Sequence, residues 1–344
     1  MTSKNTPKVS IIWLNYNSNH IFEIVAESIK SLITLKYPNY EVIIVDNGSY
    51  DGSFKKIKKL ILSIKTSHKN LPPIKVIRLR RNLGFTGGNN AGFKIISKDS
   101  KYVAVLNNDC VVVPGSLRTL INIMERCKSI GAVQGVIVKF KNKDIVDSAG
   151  GYIDELINTH FVFQNQEVYN VVRLPPRPIT FVEGTYAIYR VEAIEKILGK
   201  KRLFITEGFM YFLEDVYNGL ALWNLNYKCL VVPVVSGFHY RKAIISKYKE
   251  NIKLIYFLFR NKLTLALLTN SRYKYLVVLE LLIKALKFLI LGKITKSKYI
   301  VRALMDSVWL YKVIKKKYNG RKLNLCKAPI VRTSFREFFR NMLS

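Results

Sequence analysis

Four acids and one histidine carry the chemistry available to this sequence. Asn107-Asn108-Asp109 follows the apolar run Tyr102–Leu106. A carboxylate closing a buried strand can hold Mg²⁺ or Mn²⁺ against a diphosphate, because carboxylate and phosphate oxygens both suit hard cations. The same three residues can equally form an Asx-type turn. Asp46 ends a second apolar run, Glu41–Val45, just before Asn47, Gly48 and Ser49. There a carboxylate can accept hydrogen bonds from a base N–H or a ribose hydroxyl, or serve as an ordinary turn residue. Asn15, closing Val9–Leu14, offers similar contacts. Glu214-Asp215 begins a helical stretch, where acids cap the helix or take a proton from an attacking hydroxyl. His239 is one of four histidines, a divalent-ion ligand or a satisfied structural imidazole.

These groups require a frame that gathers strand ends. Short apolar runs at Val9–Leu14, Glu41–Val45, Ile74–Ile77, Tyr102–Leu106 and Ala132–Lys139 read as strands. Between them lie helical patterns: His20 to Leu35, a stretch started by Asp51 or Ser53, and Ser116–Arg126. Strands alternating with helices predict parallel βαβ units, hence an α/β three-layer sandwich with a mainly parallel sheet. In such sheets ligands bind beyond the carboxyl ends of the strands, where Asn15, Asp46 and Asp109 fall. The segment from Arg80 to Gly92 is a glycine-rich turn opening a helix. Two arginines directly before it favour a phosphate-facing loop over a plain flexible turn. It is neither a G-x-G-x-x-G fingerprint after the first strand nor a P-loop.

From about Ser148 the texture becomes irregular. Thr180–Arg190, interrupted by Glu183-Gly184, reads as a bent strand. A helix is expected from Glu214 to about Asn226, then a strand at Lys228–Val235 with His239 close behind.

Composition narrows the class. With 49% hydrophobic residues the chain is not disordered. Lys and Arg number 56 against 23 acids, a net +33 that implies a polyanionic partner: nucleic acid, an anionic membrane or phosphorylated substrates. Residues 241–344 hold 25 Lys or Arg and 4 acids, so this third of the chain carries most of the excess. Its helical patterns at Ile252–Leu268 and Tyr275–Leu291 are strongly apolar, and that at Met305–Lys317 is amphipathic. Such helices flanked by Lys and Arg suit the interfacial plane of an anionic membrane, or cap the preceding domain. Cys110, Cys127, Cys229 and Cys326 form no C-x-x-C pair, which argues against a zinc module or disulfide framework and fits a reducing compartment. The polar N-terminus and the brevity of Val9–Leu14 argue against a signal peptide, and no run of about 18 apolar residues reads as a spanning helix. A nucleic-acid binder is disfavoured, because the charge lies among apolar helices with no aromatic-basic RNA motif.

Taken in order, the motifs resemble family 2 glycosyltransferases, and within them the rhamnosyl- and galactofuranosyltransferase-like branch. They run Asn15 to Asn17; Val45 to Ser53; Asn82 to Gly92; Leu106 to Asp109; Ala149 to Gly151; Glu214-Asp215; His239; Arg260-Asn261. The resemblance covers roughly residues 8–262. It implies a GT-A fold and an inverting transfer of one sugar from a UDP-, dTDP- or GDP-linked donor to a glycan or lipid-linked hydroxyl. Asp46 matches the nucleoside-binding Asp, with Asn15, Asn17, Asn47, Ser49, Arg81, Asn82, Gly88, Asn89, Asn107 and Asn108 expected around the donor. Asp109 matches the last acid of the Asp-x-Asp motif that holds Mg²⁺ or Mn²⁺, and His239 a histidine completing that metal site. Asp215, beside Glu214, matches the catalytic base. The first acid of Asp-x-Asp is Asn107 here, and the last acid of Glu-Asp-x-Asp is Tyr217. The first departure weakens metal binding or shifts it toward His239. Both leave room for a sugar-nucleotide binder without activity. A nucleotidyltransferase on a similar sheet is a further alternative. The Gln-x-x-Arg-Trp signature of processive synthases is absent after Asp215, so a single addition is expected. The implied organisation is a catalytic domain over 1–240, with a nucleotide-sugar half 1–110 and an acceptor half 111–240, then a basic helical region 241–344. The expected location is the cytoplasmic face of the cell membrane.

Overall fold

A computed structural model describes residues 6–205, 209, 211–241, 252–318, 322–333 and 338–339. The first half is built from β1 (Lys8–Asn15), α1 (Phe22–Ile33), β2 (Tyr40–Asp46), α2 (Ser53–Ser67), β3 (Ile74–Arg78), α3 (Gly84–Phe93) and β4 (Ser100–Asn107). β2 is buried along its whole length, which explains its near-continuous hydrophobicity: helices cover both faces of the sheet. α1 turns Val25, Ile29 and Leu32 inward, and α2 turns Ile57, Ile61 and Ile64 inward, each a stripe at helical spacing.

The glycines of α3 have a packing role. A Cβ on Gly88 would lie 2.5 Å from Leu14 Cδ1, and one on Gly92 2.6 Å from Ile12 Cγ2. Only glycine lets this helix approach β1 so closely.

The second half adds β5 (Cys110–Val112), α4 (Ser116–Arg126), β6 (Ile130–Lys139), β7 (Asn142–Ser148), β8 (Gly151–Ile153), β9 (Thr159–Phe161), α5 (Val168–Val171) and β10 (Arg177–Ile179). It closes with β11 (Tyr186–Arg190), α6 (Val191–Leu198), α7 (Glu214–Asn224) and β12 (Lys228–His239). The main sheet has the order β10-β12-β6-β11-β4-β1-β2-β3, with β5 on β12 and β7 on β6. β3, β2, β1 and β4 are parallel, as expected. Beyond β4 the expectation of a mainly parallel sheet fails. β11 enters antiparallel between β4 and β6, and β10, β5 and β7 also pair antiparallel, so the sheet is mixed. The expected bent strand at Thr180–Arg190 is regular only from Tyr186, and the strand expected at Lys228–Val235 continues to His239.

β1 lies between β2 and β4, so the chain order reverses beside it and opens a crevice at the strand ends. The register aligns Asn15 with Asp46 and Leu14 with Asn107 at that rim.

Three long helices follow: α8 (Ile252–Leu268), α9 (Lys274–Ile290) and α10 (Ile294–Lys317). They share one apolar core with the sheet, since Leu265, Val277, Leu281 and Leu310 belong to the same cluster as Ile12, Val105 and Phe204. Buried Lys262 on α8 donates to Glu280 Oε2 at 2.8 Å and to Asn158 Oδ1 at 2.7 Å, tying α9 and the second half together. Among the described residues no helix is long and apolar enough to cross a membrane.

Candidate active site

The rim of β1, β2 and β4 holds a closed hydrogen-bond cluster. Asn15 Nδ2 donates to Asp46 Oδ1 at 2.9 Å and to Ser49 Oγ at 3.2 Å. Asn15 Oδ1 accepts from Asn108 Nδ2 at 3.0 Å. Asp46 Oδ2 accepts from the Ser49 N–H and faces Arg78 Nε at 3.4 Å. Asn17 has a left-handed backbone (φ 44°), and its N–H donates to Ser49 Oγ. Asn47 bridges to the next loop by donating to Asn82 Oδ1 and the Gly84 carbonyl. Asn82 in turn accepts from the Tyr211 hydroxyl at 3.4 Å, on the loop that leads to α7. Arg81 is exposed, while its backbone packs against Gly48. Asn89 donates to the Phe85 carbonyl, and its buried Oδ1 has no partner among the described residues. Asn107 is anchored through its N–H to the Thr185 carbonyl.

One step beyond Asn108, a line of charges crosses the cleft. Asp109 Oδ1 lies 3.2 Å from His239 Nε2, and His239 Nδ1 lies 2.8 Å from Asp147 Oδ2. The antiparallel pairing of β5 with the end of β12 sets Cys110 opposite His239 and so brings the imidazole to Asp109. Arg241 Nε donates to Asp147, and its Nη2 to Glu183 Oε1 at 3.1 Å. Glu183 also accepts from the Ser148 hydroxyl, and after burial its charge is the largest influence opposing ionisation of Asp215. Polar contacts thus run from Asp46 through Asn15 to Asn108, and from the adjoining Asp109 through His239, Asp147 and Arg241 to Glu183, whose charge acts on Asp215.

The electrostatics differ along it. Burial works to lower the His239 pKa, but Asp109 and Asp147 overturn that and lift it to about 10. Burial works to raise Asp109, and His239 and Arg241 hold it below the usual carboxylate range. At α7 the signs reverse. Burial and then Glu183 push Asp215 up to about 7, and burial and Asp215 push Glu214 up to about 8.

The donor set at Asp109 fits a divalent cation. Asp109 Oδ2 is buried without a hydrogen-bond partner among the described residues. The imidazole is held at Nδ1 by Asp147, the arrangement that orients metal-ligating histidines, and a cation there would bind Nε2 in place of the proton that now pairs with Asp109. Asn and imidazole neighbours with a single adjoining carboxylate make a sparse site; no cluster of three or more His, Cys, Asp or Glu ligands is preformed among the described residues.

The entry to α7 is strained. Phe212 (φ 68°) and Leu213 (φ 64°) are both left-handed, a conformation that costs non-glycine residues. Buried Asn261 on α8 holds it, donating to the Tyr211 and Phe212 carbonyls at 2.7 and 2.9 Å. Leu213, at the N-cap position, makes no side-chain cap, and Asp215 Oδ1 accepts from the Val216 N–H. Tyr217, in the position of the missing acid, is buried and packs against Tyr318. Asp147, Glu183 and Arg241 were not singled out as site residues from sequence. Their signals in the sequence are adjacency alone: Asp147 stands two residues before the Ala149–Gly151 motif, Glu183 interrupts Thr180–Arg190, and Arg241 follows His239 by two.

A family profile described as "Glycosyl transferase family 2" matches residues 10–198. The chain is 27% identical over 167 residues to an uncharacterized glycosyltransferase of Haemophilus influenzae, covering 48% of this chain and 46% of that protein. It is 28% identical over 127 residues to a poly-beta-1,6-N-acetyl-D-glucosamine synthase of Staphylococcus epidermidis, covering 37% and 28%. The chain thus spans about half, or less, of the length of these curated relatives. Among solved structures it is similar to the Pyrobaculum calidifontis mannosyltransferase PcManGT in complex with GDP-Man and Mn²⁺, with TM-score 0.53 and 14% identity over 94% of this chain and 86% of that one. It is also similar to S. aureus TarS 1-349 in complex with UDP-GlcNAc, with TM-score 0.53 and 16% identity over 90% and 83%. At such identities these likenesses establish the GT-A-like fold alone.

Proposed function

The chain belongs to glycosyl transferase family 2, and from that premise we propose that it transfers one hexosyl or deoxyhexosyl unit from a nucleotide-diphosphate sugar to a glycan hydroxyl, with inversion. The observation that carries this reading is the chain of polar contacts that links Asp46 and Asn15, through Asn108 beside Asp109, and then through His239, Asp147 and Arg241, to Glu183 and the charge it sets on Asp215. Asp46 and Asn15 would hold the nucleoside of a UDP-, dTDP- or GDP-linked donor. Asp109 and His239 would hold Mg²⁺ or Mn²⁺, with Asp147 fixing the imidazole. A cation bound there offsets charge on the departing diphosphate.

Asp215 serves as the base. It sits at the start of α7, where its raised pKa makes it a stronger proton acceptor than an exposed carboxylate while leaving it ionised above neutrality. As the acceptor oxygen bonds to the anomeric carbon and the bond to the diphosphate breaks, Asp215 takes the hydroxyl proton. Positioning the two reactants in line supplies much of the remaining acceleration. The motif order supports the rhamnosyl- and galactofuranosyltransferase-like branch. The absence of Gln-x-x-Arg-Trp supports a single addition, and the basic C-terminal helices support a lipid-linked acceptor at the cytoplasmic face of the membrane.

The test is a screen of UDP-, GDP- and dTDP-sugars for release of nucleoside diphosphate, with and without Mg²⁺ or Mn²⁺. Metal-dependent release from at least one donor is expected. Donor binding without release under any metal would favour the alternative reading that Asn107 and Tyr217 motivate, a sugar-nucleotide binder that has lost catalysis.

A further inference from the structure

α9 buries Val277, Glu280, Leu281 and Ala285 against the rest of the protein. Its opposite face carries Tyr275, Leu279, Leu282, Leu286 and Leu289, all exposed, at spacings of four, three, four and three. That spacing makes one continuous apolar stripe along the helix. α10 repeats the arrangement: Ile300, Ala303, Ser307 and Leu310 point inward, while Val301, Met305, Val308 and Trp309 are exposed. α9 and α10 pack on each other and are joined by a short turn through Gly292, so their exposed stripes lie on neighbouring helices. Ile290, Met305 and Trp309 are 76%, 70% and 63% exposed. Contiguous apolar patches of this kind mark interaction sites.

We propose that this two-helix face docks the protein on an anionic lipid bilayer, lying in the interfacial plane. Charge decides the occupant. Lys274 to Lys317 contains eleven Lys or Arg and two acids, and both acids are engaged within the protein. Glu280 pairs with Lys262 and Lys284 at 2.8 and 2.9 Å. Asp306 accepts from the Tyr256 hydroxyl at 2.5 Å and faces Arg302 at 3.4 Å. A second copy on the same face would bring two such basic surfaces together, whereas anionic headgroups complement them. The lengths agree: α9 has 17 residues, about 25 Å of helix, with charges along one side, so it lies on the membrane and does not cross it. Trp309 and Tyr275 are the aromatic types that settle at headgroup depth.

The docking face is coupled to the cleft through α8, which packs on α10 and whose Asn261 holds the loop before Glu214 and Asp215. A bilayer under α9 and α10 would thus be linked, through α8, to the loop that leads to the base of a lipid-borne acceptor's transfer. That last step rests on the proposed function; the docking itself does not.

Co-sedimentation of the full chain with vesicles tests the docking, using phosphatidylcholine alone and phosphatidylcholine mixed with phosphatidylglycerol. Binding is expected to the mixed vesicles, weakening with salt. L286E/I290E, at exposed positions outside the core, should lower vesicle affinity about tenfold or more. K293Q/K298Q should lower it about thirtyfold, since each basic group at such a surface contributes roughly a fivefold factor. The proposal is overturned by failure to bind the mixed vesicles or by unchanged binding of L286E/I290E. It is equally overturned by a lipid-free dimer mass in light scattering that L286E/I290E reduces to a monomer, because the face would then belong to a second copy. Nucleoside diphosphate release without vesicles, measured on the same preparations, reports the transferase reading separately. Its absence alongside intact vesicle binding counts against that reading and leaves the docking standing.

Discussion

Asp46, at the end of β2, is fully buried and both its oxygens are engaged, by Asn15, by the Ser49 N–H and by Arg78. Glu214 and Asp215, at the start of α7, have no cation or side-chain donor of this kind among the described residues. Glu214 Oε2 is buried without a hydrogen-bond partner among the described residues, and Asp215 is met by the neutral backbone N–H groups of Val216 and Gly184. An under-satisfied carboxylate in a desolvated corner is costly to keep ionised, which is why burial lifts both groups toward and beyond neutrality. The contrast separates two uses of one residue type. A carboxylate met by a guanidinium and by side-chain and backbone donors is a rigid part of a binding surface, whereas a buried one met by neutral backbone groups alone has reason to take a proton. Asp109 and Asp147 stand between these extremes, held ionised by His239 and Arg241.

The sharpest way to break this contrast is Asp215→Asn. General-base catalysis contributes about 10²- to 10⁴-fold, so kcat should fall by that factor while the donor dissociation constant, measured by calorimetric titration, stays within about twofold of wild type. Near-normal turnover would remove Asp215 from its role. Asn261→Ala comes next. It deletes two donors to a backbone that is held left-handed at Phe212 and Leu213, and a displacement near 1 Å at a catalytic group costs up to about 10²-fold in rate. We expect a loss of about ten- to a hundredfold in kcat with donor binding retained, and faster amide exchange at residues 211–213. Asp46→Asn tests the other end. Removing a charge that Asn15, Ser49 and Arg78 all address should weaken donor binding about tenfold and leave kcat little changed. A selective fall in kcat would erase the distinction between the two ends.

Much of this was legible in the sequence, and the division follows physical lines. The strands ending at Asn15, Asp46 and Asn107 are long, doubly covered and apolar, so their positions and the crevice beyond them could be read from hydrophobicity alone. The direction of β11 could not be read. Tyr186–Arg190 is as apolar as a parallel strand, and its antiparallel insertion depends on how the Thr180–Thr185 passage returns across the sheet. β5 and β10, of three residues each, carry too few for a periodic signal, and β7 is polar and exposed over its first three residues. The glycines between Gly84 and Gly92 pointed to a phosphate loop, whereas Gly88 and Gly92 are required where α3 meets β1. Asp147 and Arg241 were invisible because each acts as a single side chain whose partners, His239 and Glu183, are 92 and 58 residues away in the chain. Asn261 was visible only as part of a motif, and its work on the Tyr211 and Phe212 carbonyls appears only once α8 is in place.

The smallest effect is the most selective. Glu183 places a negative charge beside Asp215 and opposes its ionisation. With the Asp215 pKa at about 7, kcat/KM should fall on the acid side of neutrality as the base becomes protonated. Glu183→Gln removes the opposing charge, so the Asp215 pKa drops and the acid limb of the profile moves to lower pH. Arg241, released from Glu183 yet still 2.8 Å from Asp147, pushes in the same direction. A displacement of about half a unit raises the ratio of kcat/KM at pH 6 to that at pH 8 by roughly two- to threefold, even if both values decline. A residue that merely shaped the loop would lower the two values together and leave their ratio unchanged. A limb displaced toward higher pH would mean that Glu183 stabilises the ionised base instead of opposing it, and the contrast drawn between the two ends of the cleft would lose its electrostatic cause.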